Sequence, residues 1–331
     1  MKIVGLESLV FGVDDVAGAS RFLVDYGLAP VGVSDRGGRF EAMDGTAVVI
    51  ARQDDPALPR PPVPGCRLRK TVMGVADEAT LGAIVAELRR DREVRRLADG
   101  SIESIDDSGF VIGFQLTARK PFVLAGEISN APGGVVFRPI NSLGVPPPGS
   151  VIRPRSLSHV VYFVPDVVKA EAFYVNRLGF RCTDRFTGTG PFLQPGGSLD
   201  HHTHFLIGAP PQMHGVEHFT FHFGGPSEMI SNGYRFVEKG YQAFWGPGRH
   251  ILGSNWFWYF NSPFGCHIEM DADMDQHDAS WQPREATASA DNSQAFLLKM
   301  RKKWYPGPGI HENGDYACGR IGCLVAAMSR R

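Results

Sequence analysis

The feature that most constrains this chain is an internal duplication. The segment Leu6–Val13 has the same apolar pattern as Leu157–Val164, and Ser108–Phe114 resembles Phe264–Met270. Similarity over this length indicates a duplicated module rather than a short solenoid repeat. Each copy reads as a strand, a helix and three strands, with an extra helix before its last strands. We therefore predict an α+β fold of two similar domains, each a curved mixed sheet with flanking helices, built from tandem βαβββ modules.

Shifts in composition divide the chain into four predicted segments. They are a first module without metal (1–118), a Gly- and Pro-rich linker (119–152), a second, catalytic and metal-binding module (153–275) and a C-terminal extension (276–331). The extension is polar at first, then predicts a short helix from about Ser293 to Lys303 and a last apolar piece near Ile321–Met328. We expect it to pack over the second module.

Composition excludes several classes of function. With 21% charged residues and a net charge of -1, the chain has no bulk attraction for nucleic acid or an anionic membrane. No apolar run approaches the roughly 18 residues of a membrane-spanning helix, and the N-terminus does not have the pattern of a signal peptide. Five scattered cysteines, an odd number, indicate reduced thiols. We expect a cytoplasmic protein without nucleic-acid or membrane partners.

Comparison of the two copies isolates candidate functional residues. All 11 histidines lie at or after His159, which suggests that the second copy carries the chemistry. The first copy has Ser8 in place of His159, and Gly113 in place of Glu269. A buried carboxylate in an apolar strand is costly unless it is paired or binds a metal. Ligand-type residues present in one copy only are not explained by the fold.

A third strand, Val216–Phe223, supplies another candidate. There His218 and His222 alternate with phenylalanines and share a polar face. Taken singly, His159 fits a hydrogen-bonded core histidine, Glu269 fits a buried ion pair, and His222 competes with or supports His218. Taken together, His159, His218 and Glu269 form a 2-His-1-carboxylate set, which suits Fe(II), although imidazole also suits Mn, Ni and Zn.

Several motifs carry a family resemblance. They are L-S-H-V-V-Y-F-V-P-D, H-H-T-H-F-L, G-V-E-H-F-T-F and Y-F-N-S-P-F-G-x-x-x-E, within residues 157–271. The chain thereby resembles the two-domain type I extradiol (meta-cleaving) catechol dioxygenases of the vicinal oxygen chelate superfamily, such as 2,3-dihydroxybiphenyl and catechol 2,3-dioxygenases. The resemblance implies glyoxalase-like modules, Fe(II) with Mn(II) possible, a catechol and O2 as substrates, and a homo-oligomer.

The resemblance also implies residue roles. His159, His218 and Glu269 match the metal ligands. His202 matches an acid/base histidine beside the O2 site, with His204, on the same predicted strand face, as the alternative. Two further matches are His250, near a substrate oxygen, and Tyr259, which hydrogen-bonds a substrate hydroxyl.

One departure leaves the substrate open. Biphenyl-diol enzymes of this family carry Asn-Asp-His shortly after G-R-H, where this chain has Leu252-Gly253-Ser254. The alternative functions are another metalloenzyme of the superfamily, either a hydroquinone-type dioxygenase or a glyoxalase-like lyase, and a metal-free protein that binds aromatic compounds. Such lyases usually need a fourth protein ligand, which Ser8 and Gly113 do not supply.

Overall fold

Two mixed β-sheets contain the strands of residues 1–299, which the computed structural model describes. The sheets and the site described below lie in one unit, residues 1–297, and a second unit begins at residue 298. The elements of the first sheet are β1 (Ile3–Val13), α1 (Val16–Tyr26), β2 (Ala29–Ser34), β3 (Gly37–Glu41), β4 (Ala47–Arg52), β5 (Leu68–Val75), α2 (Glu78–Leu88), β6 (Arg95–Arg96), β7 (Ile102–Ile105) and β8 (Val111–Leu116).

The second sheet is built in the same way but has ten strands instead of eight. Its elements are β9 (Ser156–Val164), α3 (Val167–Ala172, continued by a π-helical turn, Phe173–Arg177), β10 (Arg181–Thr187), β11 (Gly190–Gln194), β12 (His204–Gly208), β13 (Gly215–His222), α4 (Pro226–Glu238), β14 (Ala243–His250), β15 (Trp256–Asn261), β16 (His267–Ala272), β17 (Arg284–Thr287), α5 (Ala290–Ser293) and β18 (Gln294–Leu297).

Strand order confirms the predicted fold. The first sheet runs β2-β3-β4-β1-β5-β8-β7-β6, and the second contains the equivalent order β10-β11-β12-β9-β13-β16-β15-β14. Each eight-strand set consists of two βαβββ units whose first strands pair antiparallel, β1 with β5 and β9 with β13. Equivalent aspartates begin the first helix of each copy, because Asp15 accepts from Gly18 N and Asp166 from Lys169 N.

The extension adds two strands to the second sheet. Strand β17 pairs with β10, and β18 pairs with β14. The prediction of a helix from about Ser293 is wrong for Gln294–Leu297, because this segment satisfies the backbone groups of an edge strand instead. The rest of that helix, from residue 300, and the apolar piece near Ile321–Met328 lie outside the described residues.

Two predictions from composition concern membrane-spanning helices and the state of the cysteines. None of the helices between residues 1 and 299 has the length and hydropathy that crossing a membrane requires. The cysteines of the same range, Cys66, Cys182 and Cys266, are free thiols.

The first module contacts the strand that carries Glu269. Tyr26, at the end of α1, is fully buried, and its hydroxyl donates a 2.6 Å hydrogen bond to the backbone carbonyl of Glu269. Asn232 Nδ2 of α4 donates to the carbonyl of Tyr26 at 2.9 Å. The ring of Phe11 packs against Phe219, with 5.2 Å between centroids. The two modules therefore share a core directly beneath the candidate site.

We expect Tyr26→Phe to lower the free energy of unfolding by about 1 kcal/mol, because it removes one buried hydrogen bond. Urea denaturation of the metal-free protein measures this. Tyr241→Phe is the matched control, since the Tyr241 hydroxyl donates to Asp25 in a partly exposed position and should contribute less. Equal losses in the two variants would contradict a specific role for the Tyr26–Glu269 bond.

Candidate metal centre

Three neighbouring strands bring the predicted ligands together. His159 lies on β9, His218 on β13 and Glu269 on β16, and the ligand atoms of all three lie within 4.8 Å of one another. Glu269 Oε2 is 3.0 Å from His159 Nε2 and 3.5 Å from His218 Nε2, and the two histidine nitrogens are 3.3 Å apart. All three side chains are buried. The arrangement follows from strand alternation, which aims each side chain at the same face.

The donor set fits a bound cation. Glu269 Oε1 is buried and has no hydrogen-bond partner within the described residues, although His250 Nε2 lies 3.6 Å away. A buried carboxylate oxygen without a partner is expensive. Burial alone would raise the pKa of Glu269, but the neighbouring imidazoles of His159 and His250 lower that pKa well below its usual value. An ionised carboxylate with two imidazoles is a set that non-haem Fe(II) accepts.

Thr220 belongs to the same cluster. It lies opposite Glu269 in the parallel pairing of β13 with β16. Its hydroxyl donates to Glu269 Oε2 at 2.6 Å and lies 2.9 Å from His159 Nε2. Sequence reasoning did not single it out, although its place between His218 and His222 on the polar face was the available signal.

Polar groups orient both candidate ligand histidines from behind. His159 Nδ1 lies 2.8 Å from the hydroxyl of Ser158, which donates to Asp271 Oδ2 at 3.2 Å. His218 Nδ1 contacts the carboxylate of Glu217. Such contacts set the ring orientation of metal-binding histidines and keep Nε2 directed at the centre.

These partners were missed by sequence reasoning. Ser158 and Glu217 each directly precede a histidine, and simple alternation places adjacent side chains on opposite faces. Burial would raise the pKa of Glu217, but His218 and His267 lower it to about 2, so the carboxylate is ionised.

His222 is not part of the cluster, because its Nδ1 lies 2.7 Å from Asp271 Oδ1.

His202 and His204 occupy different environments. His202 lines the cavity in front of the cluster, and its ring centroid is 4.3 Å from that of His159. His204 points instead into the core, against Tyr162, Tyr174 and Phe180. The expectation that both share a strand face is wrong, because β12 begins only at His204 and residues 201–203 form a bend.

Burial governs the protonation of both histidines. It lowers the pKa of His202 well below its usual value, and the neighbouring His159 and His201 lower it further. Burial likewise lowers the pKa of His204 to about 3. Both imidazoles are therefore neutral near pH 7.

His250 and Tyr259 lie on the other side of the cluster. Tyr259 lies directly opposite Glu269 in the pairing of β15 with β16. His250 Nδ1 donates to the carbonyl of Ser293 in the extension at 2.8 Å, which leaves Nε2 to accept from the Tyr259 hydroxyl at 3.2 Å. Burial, followed by the charges of Glu269 and Glu217, raises the pKa of Tyr259 well above its usual value. Its hydroxyl is therefore a donor at neutral pH.

A cavity of about 280 Å³ opens in front of these side chains. Its lining is largely apolar, with Val161, Phe186, Phe192, Phe205, Ile207, Phe244, Trp245 and Leu252. Leu252 is thus the one of the three departing residues that lines the cavity, while the Ser254 hydroxyl donates to Asp275 at 2.8 Å. Among the described residues that line the cavity, none is lysine or arginine.

The first sheet has no such cluster within the described residues. Its strands pair in the same register as those of the second sheet. The residues equivalent to the site residues can therefore be identified from the pairing. Three pairs occupy equivalent positions: Gly113 and Glu269, Glu103 and Tyr259, Lys70 and His218. Lys70 Nζ lies 3.4 Å from Glu103 Oε2. An ion pair thus stands where the second module has two of its site residues.

The second module matches a known protein family. Residues 156–270 match the family model described as the Glyoxalase/Bleomycin resistance protein/Dioxygenase superfamily. The second module is therefore similar to this superfamily over most of its length. The matched range contains His159, His218 and Glu269 and ends before the extension. The predicted resemblance and the vicinal oxygen chelate fold are therefore confirmed.

Individual relatives are more distant. The chain is 35% identical over 159 residues to metapyrocatechase 2 of Cupriavidus necator. The aligned region covers 48% of this chain but only 46% of that protein. It is 29% identical over 294 residues to the biphenyl-2,3-diol 1,2-dioxygenase of Paraburkholderia xenovorans, covering 85% and 91% of the two chains. The Mn(II)-bound glyoxalase from Novosphingobium aromaticivorans has a similar fold, with a TM-score of 0.68, 20% identity and coverage of 88% of this chain and 90% of that chain.

Proposed function

We propose that this protein is an extradiol dioxygenase that uses Fe(II), or alternatively Mn(II), to insert both atoms of O2 into a catechol-type ring by meta cleavage in the degradation of aromatic compounds. One observation carries the proposal. His159, His218 and Glu269 form one buried cluster, and His159 and His218 line a largely apolar cavity together with His202, His250 and Tyr259. The names of the two dioxygenase relatives support the same reaction.

The chain would hold the metal through His159 Nε2, His218 Nε2 and a Glu269 oxygen. When bound, the cation would promote loss of a phenolic proton and leave positions open for substrate oxygens. Tyr259 would donate its hydroxyl hydrogen to a substrate oxygen and fix one orientation of the ring. Neutral His202 would accept a proton and return it later in the reaction.

The cavity wall favours particular catechols. The stacked rings of Phe192 and Phe205, 4.1 Å apart, form one side of the apolar wall. Glu217, an ionised carboxylate that lines the cavity, repels anions. Asn255 is 1% exposed, and within the described residues neither of its amide atoms has a hydrogen-bond partner. We propose an uncharged catechol with an apolar substituent that also carries a neutral hydrogen-bonding group.

We expect kcat/KM for 2,3-dihydroxybiphenyl to exceed that for 3,4-dihydroxyphenylacetate by at least about tenfold, because the second substrate would bury an unpaired carboxylate. Steady-state O2 uptake with both substrates measures the ratio. 4-Ethylcatechol is the control, because it has the ring substitution of 3,4-dihydroxyphenylacetate without the charge. Equal or reversed values would contradict the apolar assignment of the cavity.

The reaction itself is tested by anaerobic reconstitution with Fe(II), followed by a panel of substituted catechols. We expect O2 uptake together with a yellow ring-fission product. Iron-loaded protein that turns over no catechol would contradict the proposal and favour the lyase alternative. Thiol adducts of 2-oxoaldehydes are the substrates with which to test that alternative.

A glyoxalase-like lyase is the second candidate, since the fold resembles that of the Novosphingobium glyoxalase. Such lyases usually need a fourth protein ligand, and none joins the three-residue cluster within residues 1–299. A metal-free binding protein leaves the unpaired Glu269 oxygen unexplained. The homo-oligomer and the cytoplasmic location remain predictions.

A further inference from the structure

We infer that His201 and Asp184 are positioning residues that fix the tautomer of His202, so that Nε2 of His202 is a bare proton acceptor. The inference rests on the proposed acid/base role of His202. It gives a function to His201 and to the part of the extension that contains Arg284.

A continuous chain of hydrogen bonds leads away from His202. Its Nδ1 lies 2.9 Å from Nδ1 of His201, and Nε2 of His201 lies 2.9 Å from Asp184 Oδ2. His201 and Asp184 are fully buried, and His202 is 4% exposed. No water is needed to connect these groups.

The polarity of the chain follows from its far end. Asp184 accepts from the backbone N–H of Arg284 at 2.8 Å and from its guanidinium at 2.6 Å. Burial would raise the pKa of Asp184, but the hydrogen bonds from His201 and Arg284 lower it to about 2, so the carboxylate only accepts. His201 must therefore donate through Nε2.

A neutral imidazole carries one N–H and one acceptor nitrogen. A neutral His201 with its proton on Nε2 offers Nδ1 as an acceptor, and His202 then donates through its own Nδ1. Nε2 of His202 is then without a proton and is the ring nitrogen left for the cavity. Once this nitrogen is protonated, the ionised Asp184 stabilises the positive charge through His201.

The surroundings hold His201 in place. Gly253 has a φ of 82°, and a Cβ added there would lie 3.0 Å from His201 Nδ1, so its backbone packs closely against the ring. The hydroxyl of Thr183 donates to the carbonyl of His201 at 2.7 Å. Arg284 lies on β17, outside the range matched by the superfamily model. The extension thus anchors the chain of bonds through Asp184.

The direct test is the protonation state of the imidazole nitrogens in metal-free protein labelled with 15N-histidine. We expect NMR to report a protonated Nδ1 and an unprotonated Nε2 on His202, with the signal assigned from a His202→Gln variant. In His201→Phe the proton should no longer be confined to Nδ1. Wild-type His202 protonated on Nε2 would overturn the inference, whether or not the protein cleaves catechols.

The kinetic test compares replacements of His201 in the iron-loaded enzyme. We expect His201→Phe to lower kcat by about 10- to 100-fold, while KM and iron content change by less than about twofold. His201→Gln should recover part of kcat, since its carbonyl can accept from His202 while its amide donates to Asp184. Glu285→Gln, an exposed carboxylate change beside Arg284, should leave kcat unchanged.

Two results would contradict the positioning role. One is equal kcat in His201→Phe and wild type. The other is an equal loss in the Phe and Gln variants with lower thermal stability in both, which would assign His201 to packing alone. If wild type turns over no catechol, the proposed function fails, but the NMR result still decides the tautomer.

Discussion

Glu269→Gln should bind Fe(II) at least about 100-fold more weakly than wild type. The substitution replaces the single charged ligand with a neutral amide, and loss of an outer contact to a metal ligand already costs about 10- to 100-fold. Because Glu269 is fully buried and has an unpaired oxygen, the metal-free variant should fold at least as stably as the wild type. Anaerobic competition with a chromophoric chelator measures affinity, and thermal melting checks the fold.

Glu78→Gln is the matched control, because Glu78 is exposed at the start of α2. It should retain Fe(II) as wild type does. Wild-type affinity in Glu269→Gln would remove Glu269 from the ligand set and leave its burial without a functional explanation.

His202→Ala should keep Fe(II) and bind catechols anaerobically but lower kcat by about 10²- to 10⁴-fold, the range for loss of a general acid/base group. Its ring lines the cavity and packs beside His159, but the hydrogen bonds of His159 go to Ser158 and Thr220 rather than to His202. Stopped-flow spectra can separate catechol binding, which should persist, from ring fission, which should fail.

His204→Phe is the informative comparison. His204 is enclosed by aromatic rings of the core, so an apolar ring should be tolerated and kcat should stay within about threefold of wild type. If His202→Ala turns over normally and His204→Phe does not, the acid/base role belongs to His204.

The cluster of His159, His218 and Glu269 could be predicted from sequence because the duplication supplies an internal comparison. A histidine and a glutamate in one copy occupy the positions that Ser8 and Gly113 occupy in the other. Packing alone therefore does not account for them. The outer contacts were not predictable in the same way. Ser158 and Glu217 reach back to the histidines that follow them, and strand alternation does not describe such local contacts.

Two errors have the same physical origin. His204 was placed beside His202, and Gln294–Leu297 was assigned to a helix, because periodicity was extended across a segment whose backbone is set by tertiary pairing. The bend before β12 turns the side chain of His204 away from that of His202, and residues 294–297 pair with the edge strand β14 although their composition also favours a helix. Local propensity does not contain either constraint.

The bond from Tyr26 to the carbonyl of Glu269 has a consequence for the history of the duplication. A copy without these ligand residues could otherwise change freely in sequence, yet this one supports the backbone of the strand that carries Glu269 in the other copy. Substitutions at Tyr26 in the first copy are therefore expected to disturb the candidate site in the second, which links the evolution of the two copies.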